Sequence, residues 1–391
     1  MHIAHLADLH LGKVFHGAAL LDDQRHALEQ VVALLRGERV DVLVLAGDLY
    51  DRALPSAEAV RLFDTFLREV VEGVGVPVIA IAGNHDSADH LGFGAWLFSR
   101  GDVHVRGRLD PDALPITLED PHGEVTFYPL PYIEPELARP LLDDRSDEPL
   151  THRTVVRTLA DMARRHRAET GVRRAVLVAH GFVRGERAPI ESRRSERSLY
   201  LGGVGAVSAS ELEGFDYVAL GHLHRPQSVT PDDRVRYSGS LLEYSFDEVG
   251  HGKGVTLVEL GPPGTRSVRH VPIAPRRPLA TARGTLRELL EDPAHEALTR
   301  CFLSVELTEY PPPLQAMERL RGRFPHVVEL RFLQPDAPGA PLAGEAPPAA
   351  RDPEEVFVEF HTRFEGPPSE EVRAVFRQAL AAVRARSEGQ P

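Results

Sequence analysis

The stretch Val40 to Asp51, VDVLVLAGDLYD, limits what this chain can fold into more than any other part of it. Its apolar run, Val42 to Ala46, ends at Gly47, and the carboxylates Asp48 and Asp51 follow. An unbroken run of this kind predicts a central strand buried on both faces that delivers a charged group to the sheet edge. A buried aspartate is costly unless it is paired or bound to metal. Partners for Asp48 stand at other predicted strand ends: Asp8 and His10, Asn84 and His85, His180, and His222 and His224.

Around that strand, apolar runs alternate with helical patterns, which predicts an α/β fold with a largely parallel sheet and helices on its faces. His2 to His10 reads as the first strand and Asp22 to Arg36 as a helix. Ser56 caps a second helix carrying Val60, Phe63, Leu67 and Val71. Pro77 to Ala82 is a buried strand leading into GNHD, Gly83 to Asp86. Thr151 to Glu169 is a helix, Arg174 to His180 a strand, and Val183 to Gly203 an exposed loop. In that loop Arg184, Arg187, Arg193, Arg194 and Arg197 alternate with Glu186, Glu191 and Glu196, the pattern of a solvated segment, with DNA-backbone contact as the competing reading. Ser208 and Glu211 form a capping box, Tyr217 to Leu220 is a strand, and Val235 to Ser240 and Gly254 to Leu260 finish the sheet.

A proline- and glycine-rich break at Gly261 to Pro278 closes a first domain, residues 1–275. Residues 276–334 carry enough pattern for a small α+β domain, 335–352 read as a flexible linker, and 353–391 as a helix-loop-helix. Phe357, Phe360 and Phe364, then Val372, Val375, Phe376, Ala379, Leu380 and Val383, form apolar stripes too short to bury themselves, so a docking role is expected. Ser87 to Ser99, with Leu91, Phe93, Trp96, Leu97 and Phe98, is read either as a dimer patch or as core.

The single cysteine, Cys301, excludes an internal disulfide and a thiolate cluster, and fits a reducing cytosol. No signal peptide is legible at Met1, and no run nears the roughly 20 apolar residues that span a bilayer. The net charge of −13 argues against a general nucleic-acid coat, although metal ions would bring positive charge of their own.

Asp8, His10, Asp48, Asn84, His180, His222 and His224 form an oxygen and nitrogen donor set without sulfur, larger than one tetrahedral ion uses. They suit two ions about 3.5–4 Å apart, bridged by one carboxylate. Asp48 is the expected bridge, with Asp8, His10 and His224 on one ion and Asn84, His180 and His222 on the other. Such a donor set admits manganese, iron or zinc. His85 is the expected proton donor or charge stabiliser, and either Asp86 or Asp51 orients an imidazole. His16, His26, His152, His166 and His295 lie off the strand ends and are left as surface or core residues.

ADLH (Ala7 to His10), GDLYD (Gly47 to Asp51), GNHD, AH (Ala179, His180) and GHLH (Gly221 to His224) occur in the order found in calcineurin-like metallophosphoesterases, which the chain resembles over about its first 275 residues. DLHLGK (Asp8 to Lys13), GHLHRPQ (Gly221 to Gln227), YSGSLLEYSFDE (Tyr237 to Glu248) and SERSLYLGG (Ser195 to Gly203) resemble the SbcD family of nuclease subunits more narrowly. That resemblance implies a metallophosphoesterase sandwich with a capping domain and C-terminal helices. It implies a manganese-dependent 3′→5′ duplex exonuclease and endonuclease on single strands and hairpins, with the seven donors as metal ligands and His85 catalytic. It implies homodimerisation through the nuclease domain and the ATPase SbcC as partner. The competing functions are a phosphatase or phosphodiesterase on a nucleotide or phosphoprotein, and a non-catalytic scaffold.

Overall fold

Successive side chains along a strand face opposite layers, and that period builds the architecture. The computed structural model describes residues 1–109, 115–140, 142, 150–185, 189–192, 194–196, 206–262, 264–333, 354–355, 357–358, 361–362 and 366–388. Two six-stranded sheets pack face to face. One has the order Gly264–Pro272, Gly254–Gly261, His2–Leu6, Val42–Ala46, Val78–Ile81, Val103–Arg106. The other has Gln227–Ser228, Val235–Tyr237, Tyr217–Gly221, Ala175–His180, Gly123–Leu130, Ile116–Asp120.

Val42, Val44, Ala46, Ile79 and Ile81 meet Phe127, Val176, Val178, Tyr217 and Ala219 between the sheets. The intervening Leu43, Leu45, Val78 and Ala80 face the helices Leu21–Gly37 and Ala57–Arg68. Leu177, Ala179, Val218 and Leu220 face the helix His152–Thr170. The result is four layers, helix, sheet, sheet, helix.

The helix-flanked sandwich of sheets implied by the family resemblance is present, and the largely parallel sheet expected from the strand order is two mixed ones. His2–Leu6 pairs parallel with Val42–Ala46 but antiparallel with Gly254–Gly261. The strand Val235–Tyr237 belongs to the second sheet and Gly254–Gly261 to the first. An apolar run reports that both faces are covered, and does not distinguish a covering helix from a covering sheet. The expected break at Gly261 to Pro278 contains an edge strand, Gly264–Pro272, paired with Gly254–Gly261. It is polar because an edge strand meets water. In the helix Ala57–Arg68, Ser56 Oγ accepts the Ala59 N–H (3.2 Å), but the buried face is Ala59, Leu62, Phe63 and Phe66, leaving Val60 exposed.

Leu279–Gly284, Phe302–Leu307 and Val327–Phe332 form a separate three-stranded parallel sheet with its own core of Leu289, Leu303, Val305, Leu307, Leu320 and Phe324. Arg277 ties this part to the first helix, pairing with Asp23 while its guanidinium lies 4.5 Å from the Phe302 ring centroid. Met1–Leu333 is one compact unit and 334–391 another. In the second, the helix Glu370–Glu388 stacks Phe376 on Phe357 at 4.2 Å, and Arg373 and Arg377 pair with Glu354. The linker expected at 335–352 lies outside the described residues, as do Phe360 and Phe364.

Of the Ser87 to Ser99 cluster only Leu91 is buried; Phe93 is 80% and Trp96 70% exposed, so core packing does not account for it. Among the described residues no helix is long and apolar enough to cross a membrane.

Candidate metal centre

Both sheets end their parallel strands at one edge, where ligands of α/β folds gather. The first strand stops at Leu6, and the chain continues alongside the loop after Ala46. Asp8 N–H donates to the Gly47 carbonyl and His10 N–H to the Asp48 carbonyl, each at 3.0 Å. Asp8 (φ 54°), His10 (φ 44°), Asp48 (φ 52°) and His222 (φ 110°) all have left-handed backbones. The Asp8/His10 spacing therefore works through strained loop residues rather than strand alternation. Each such residue costs of order 1–3 kcal/mol, and such conformations cluster at functional sites. Gly47 (φ 91°) precedes Asp48, and a Cβ there would run into the His180 ring. A Cβ at Gly83 would collide with the Asp48 carboxylate.

The seven expected donors lie together. Asp48 Oδ2 stands 3.5 Å from His180 Nε2 and 3.7 Å from His10 Nε2. Asn84 Oδ1 is 3.0 Å from His180 Nε2 and 3.2 Å from His222 Nδ1. The Asp8 carboxylate accepts the His222 N–H at 3.0 Å, and His10 Nε2 and His224 Nε2 are 3.1 Å apart. Asp8, His10 and His224 form one group able to hold an ion, Asp8, Asp48 and His180 another, and His10, Asp51 and His85 a third.

The donor chemistry fits cations. His180 donates Nδ1–H to the Ala46 carbonyl (2.8 Å) and His224 donates Nδ1–H to Glu248 (2.9 Å), which leaves each Nε2 facing the cluster. His10 Nδ1 looks toward Asp51 Oδ1 at 3.8 Å, so the Nε2 atoms of His10 and His224 turn on one another. Their separation is close to that between neighbouring ligands each about 2.1 Å from a shared ion. Buried His10 Nδ1 and Asn84 Nδ2 have no hydrogen-bond partner among the described residues. Burial lowers the pKa of His10 and His222 well below the usual imidazole value, so both rings are neutral. Burial raises the Asp8 carboxyl to about 7, opposed by His180 and His224. Burial alone would raise Asp48 too, but His180 and then His10 hold it well below the carboxylate range.

His85 lies beside the group. Its backbone N–H donates to Asp48 Oδ1 (2.8 Å) and its Nδ1 to the Asp51 carbonyl (2.9 Å), so Nε2 is the ring nitrogen that bond does not hold. Asp51 is thus the residue that orients an imidazole, and it does so through its backbone. Asp86 instead accepts the N–H groups of Leu49, Tyr50 and Gly83 at 2.9–3.0 Å, stapling the two loops together.

Three further residues escaped the sequence reading. Glu248, fully buried, accepts from His224; Glu196 accepts the His224 N–H at 2.7 Å; Lys253 donates to Glu248 and to the His224 carbonyl. Glu196 belongs to the loop expected to be exposed, and that expectation is corrected: Ser192 is buried and donates its N–H to Glu196. Glu196 and Glu248 fall inside SERSLYLGG and YSGSLLEYSFDE, so those stretches held the signal, although nothing in their spacing ties them to His224. Arg184 and Arg194 are exposed; Arg187, Arg193 and Arg197 lie outside the described residues.

A sequence profile of the calcineurin-like phosphoesterases matches residues 1–226. The chain belongs to that family. This metallophosphoesterase is a hydrolase of phosphoesters, and divalent metals belong to the family's chemistry. A second profile, the C-terminal domain of SbcD described as the type 5 capsule protein repressor C-terminal domain, matches residues 275–363 and supports the SbcD-like resemblance. Among solved structures, the metallophosphoesterase is similar to a dimetal phosphatase from Danio rerio at 15% identity, covering 70% of this chain and 99% of that one, TM-score 0.42. It is similar to an archaeal phosphodiesterase at 11% identity, covering 69% and 100%, TM-score 0.29.

Proposed function

We propose that this metallophosphoesterase is an SbcD-like DNA nuclease, cutting duplex ends 3′→5′ and single strands or hairpins internally, in DNA repair and recombination in the cytoplasm. The observation that carries the reading is the gathered donor cluster in a chain whose residues 275–363 match the SbcD C-terminal domain. Asp8, His10 and His224 would hold one manganese ion and Asn84, His180 and His222 a second, with Asp48 between them. Two such cations, when bound, acidify an attacking water and neutralise the phosphodiester.

The chain's own residues supply the rest. His85, its Nδ1 proton committed to the Asp51 carbonyl, presents Nε2 to protonate the leaving oxygen. Lys13 pairs with Asp51 at 2.7 Å and steadies the loop that holds His85. A cleft of about 800 Å³ between residues 1–275 and the capping part at 276–334 is lined by Lys13, His16, Arg194, Glu329 and Arg331; Lys13 is paired with Asp51 and Arg331 with Glu329, so exposed Arg194 is the side chain it holds out to a DNA backbone. The exposed Phe93, Trp96, Leu97 and Phe98 support a homodimer through the nuclease domain. Within 353–391, exposed Val372 and Val375 favour docking to the coiled coil of SbcC, whose ATP cycle would gate access to DNA.

The test is cleavage of an end-labelled DNA hairpin with manganese, set against p-nitrophenyl phosphate, for wild type and Asp48→Asn. Hairpin cleavage abolished by Asp48→Asn is expected. Turnover of p-nitrophenyl phosphate alone would favour a phosphatase, and equal behaviour of both proteins would leave only a scaffold. Deletion after Pro335 is expected to abolish SbcC binding, and a strict monomer at micromolar concentration would remove the dimer.

A further inference from the structure

Only two of the 45 Lys and Arg residues are lysines, Lys13 and Lys253, and both reach the metal centre. In a chain that otherwise uses arginine throughout, a lysine marks a place where a compact ammonium does what a guanidinium does not. Lys253 is 7% exposed. Its Nζ donates to Glu248 Oε2 at 2.5 Å, the His224 carbonyl at 2.7 Å and Ser240 Oγ at 2.9 Å. Those three bonds use all three ammonium protons from a single atom, which a planar fork of donors does not reproduce.

Glu248 is held as completely. Oε2 accepts from Lys253 and the Tyr244 N–H (3.2 Å); Oε1 accepts from Ser195 Oγ and His224 Nδ1. His224 is thereby gripped at its backbone N–H by Glu196, at its carbonyl by Lys253 and the Ser240 N–H (3.1 Å), and at its ring by Glu248. A carboxylate behind a ligating imidazole fixes its tautomer and aim. Here the carboxylate has its own buried counter-ion, so the pair is neutral and neither member is left uncompensated.

We propose that Lys253 and Glu248 act as a positioning pair that keeps His224 in its Nδ1–H tautomer and aims Nε2 at the ion shared with Asp8 and His10. This rests on the two-metal reading above, and it makes lysine, rather than any cation, the requirement at position 253.

Two measurements test it. In metal-free wild type labelled with ¹⁵N-histidine, and with His224 assigned by its loss in His224→Asn, NMR should find Nδ1 protonated, as its bond to Glu248 requires. Manganese titration followed by electron paramagnetic resonance should then show two sites in wild type. Lys253→Arg and Glu248→Gln should each weaken one of them 10–100-fold and spare the other. A His224 whose Nδ1 carries no proton, or variants that bind both ions within twofold of wild type, would overturn the positioning role. Should Lys253→Arg fail to fold, the wild-type tautomer and Glu248→Gln still decide. Wild type that binds no second manganese would sink the two-metal reading itself, while the tautomer continues to report on Lys253 and Glu248 separately.

Discussion

His10 and His224 follow strands of different sheets, yet their Nε2 atoms stand 3.1 Å apart. The cluster thus forms only when the two halves of the sandwich close at their common edge, and an ion bound there would join them. Manganese should therefore stabilise the Met1–Leu333 unit, by about 2.7 kcal/mol when free metal is 100-fold above Kd. Chelation should lower the melting temperature seen by calorimetry, and Asp48→Asn should blunt that response. A melting temperature indifferent to chelator would count against any ion at this edge.

His85 touches Asp48 through its backbone N–H and Asp51 through its ring. His85→Asn should lower phosphodiester cleavage by roughly 10²–10⁴-fold, the usual loss for a general acid, while manganese stoichiometry stays that of wild type. Single-turnover cleavage paired with metal titration separates the two; loss of an ion would make His85 a ligand instead.

Much of this arrangement is legible in the sequence because buried strands announce themselves. Val42–Ala46, Val78–Ile81, Ala175–His180 and Tyr217–Gly221 are short apolar runs that end at a glycine, an asparagine loop or a histidine. The second sheet is not legible, since Val44 facing Val178 and Leu43 facing a helix read alike. The reason Asp8 and His10 share a side is also hidden, because a left-handed φ leaves no periodic trace. Lys253 and Glu248 join His224 by hydrogen bonds that no period encodes; only the scarcity of lysine hints at them.

Gly83 offers a direct test of packing in the centre. A methyl group there would enter the space of the Asp48 carboxylate and its backbone nitrogen. Overpacking of this kind costs about 1–3 kcal/mol, and here the displaced group is Asp48 itself. Gly83→Ala should lower the unfolding free energy by that amount, read as a lower urea midpoint at unchanged m, and lose manganese binding together with cleavage. Gly37, where an added Cβ meets nothing within 4 Å and which, like Gly83, has no positive φ, is the matched control.

Far from the centre, Arg174 and Asp120 form a two-bonded pair at 2.7 and 2.6 Å, both side chains nearly fully buried. The Arg174 hydrogen bonds hold the Asp120 carboxyl well below the usual carboxylate range. A carboxyl with a depressed folded pKa contributes stability that is complete above its unfolded value, about 3.9, and is lost as pH falls through the folded value. Asp120→Asn leaves a buried guanidinium without its counter-charge and should cost about 3 kcal/mol at neutral pH. The penalty should begin to shrink below about pH 4, where the carboxyl takes up its proton in the unfolded wild-type chain while the folded one stays ionised. Guanidinium unfolding of both proteins at neutral pH and near pH 3 measures that change. A difference that stays constant across this range would mean that shape, and not charge, makes Asp120 matter.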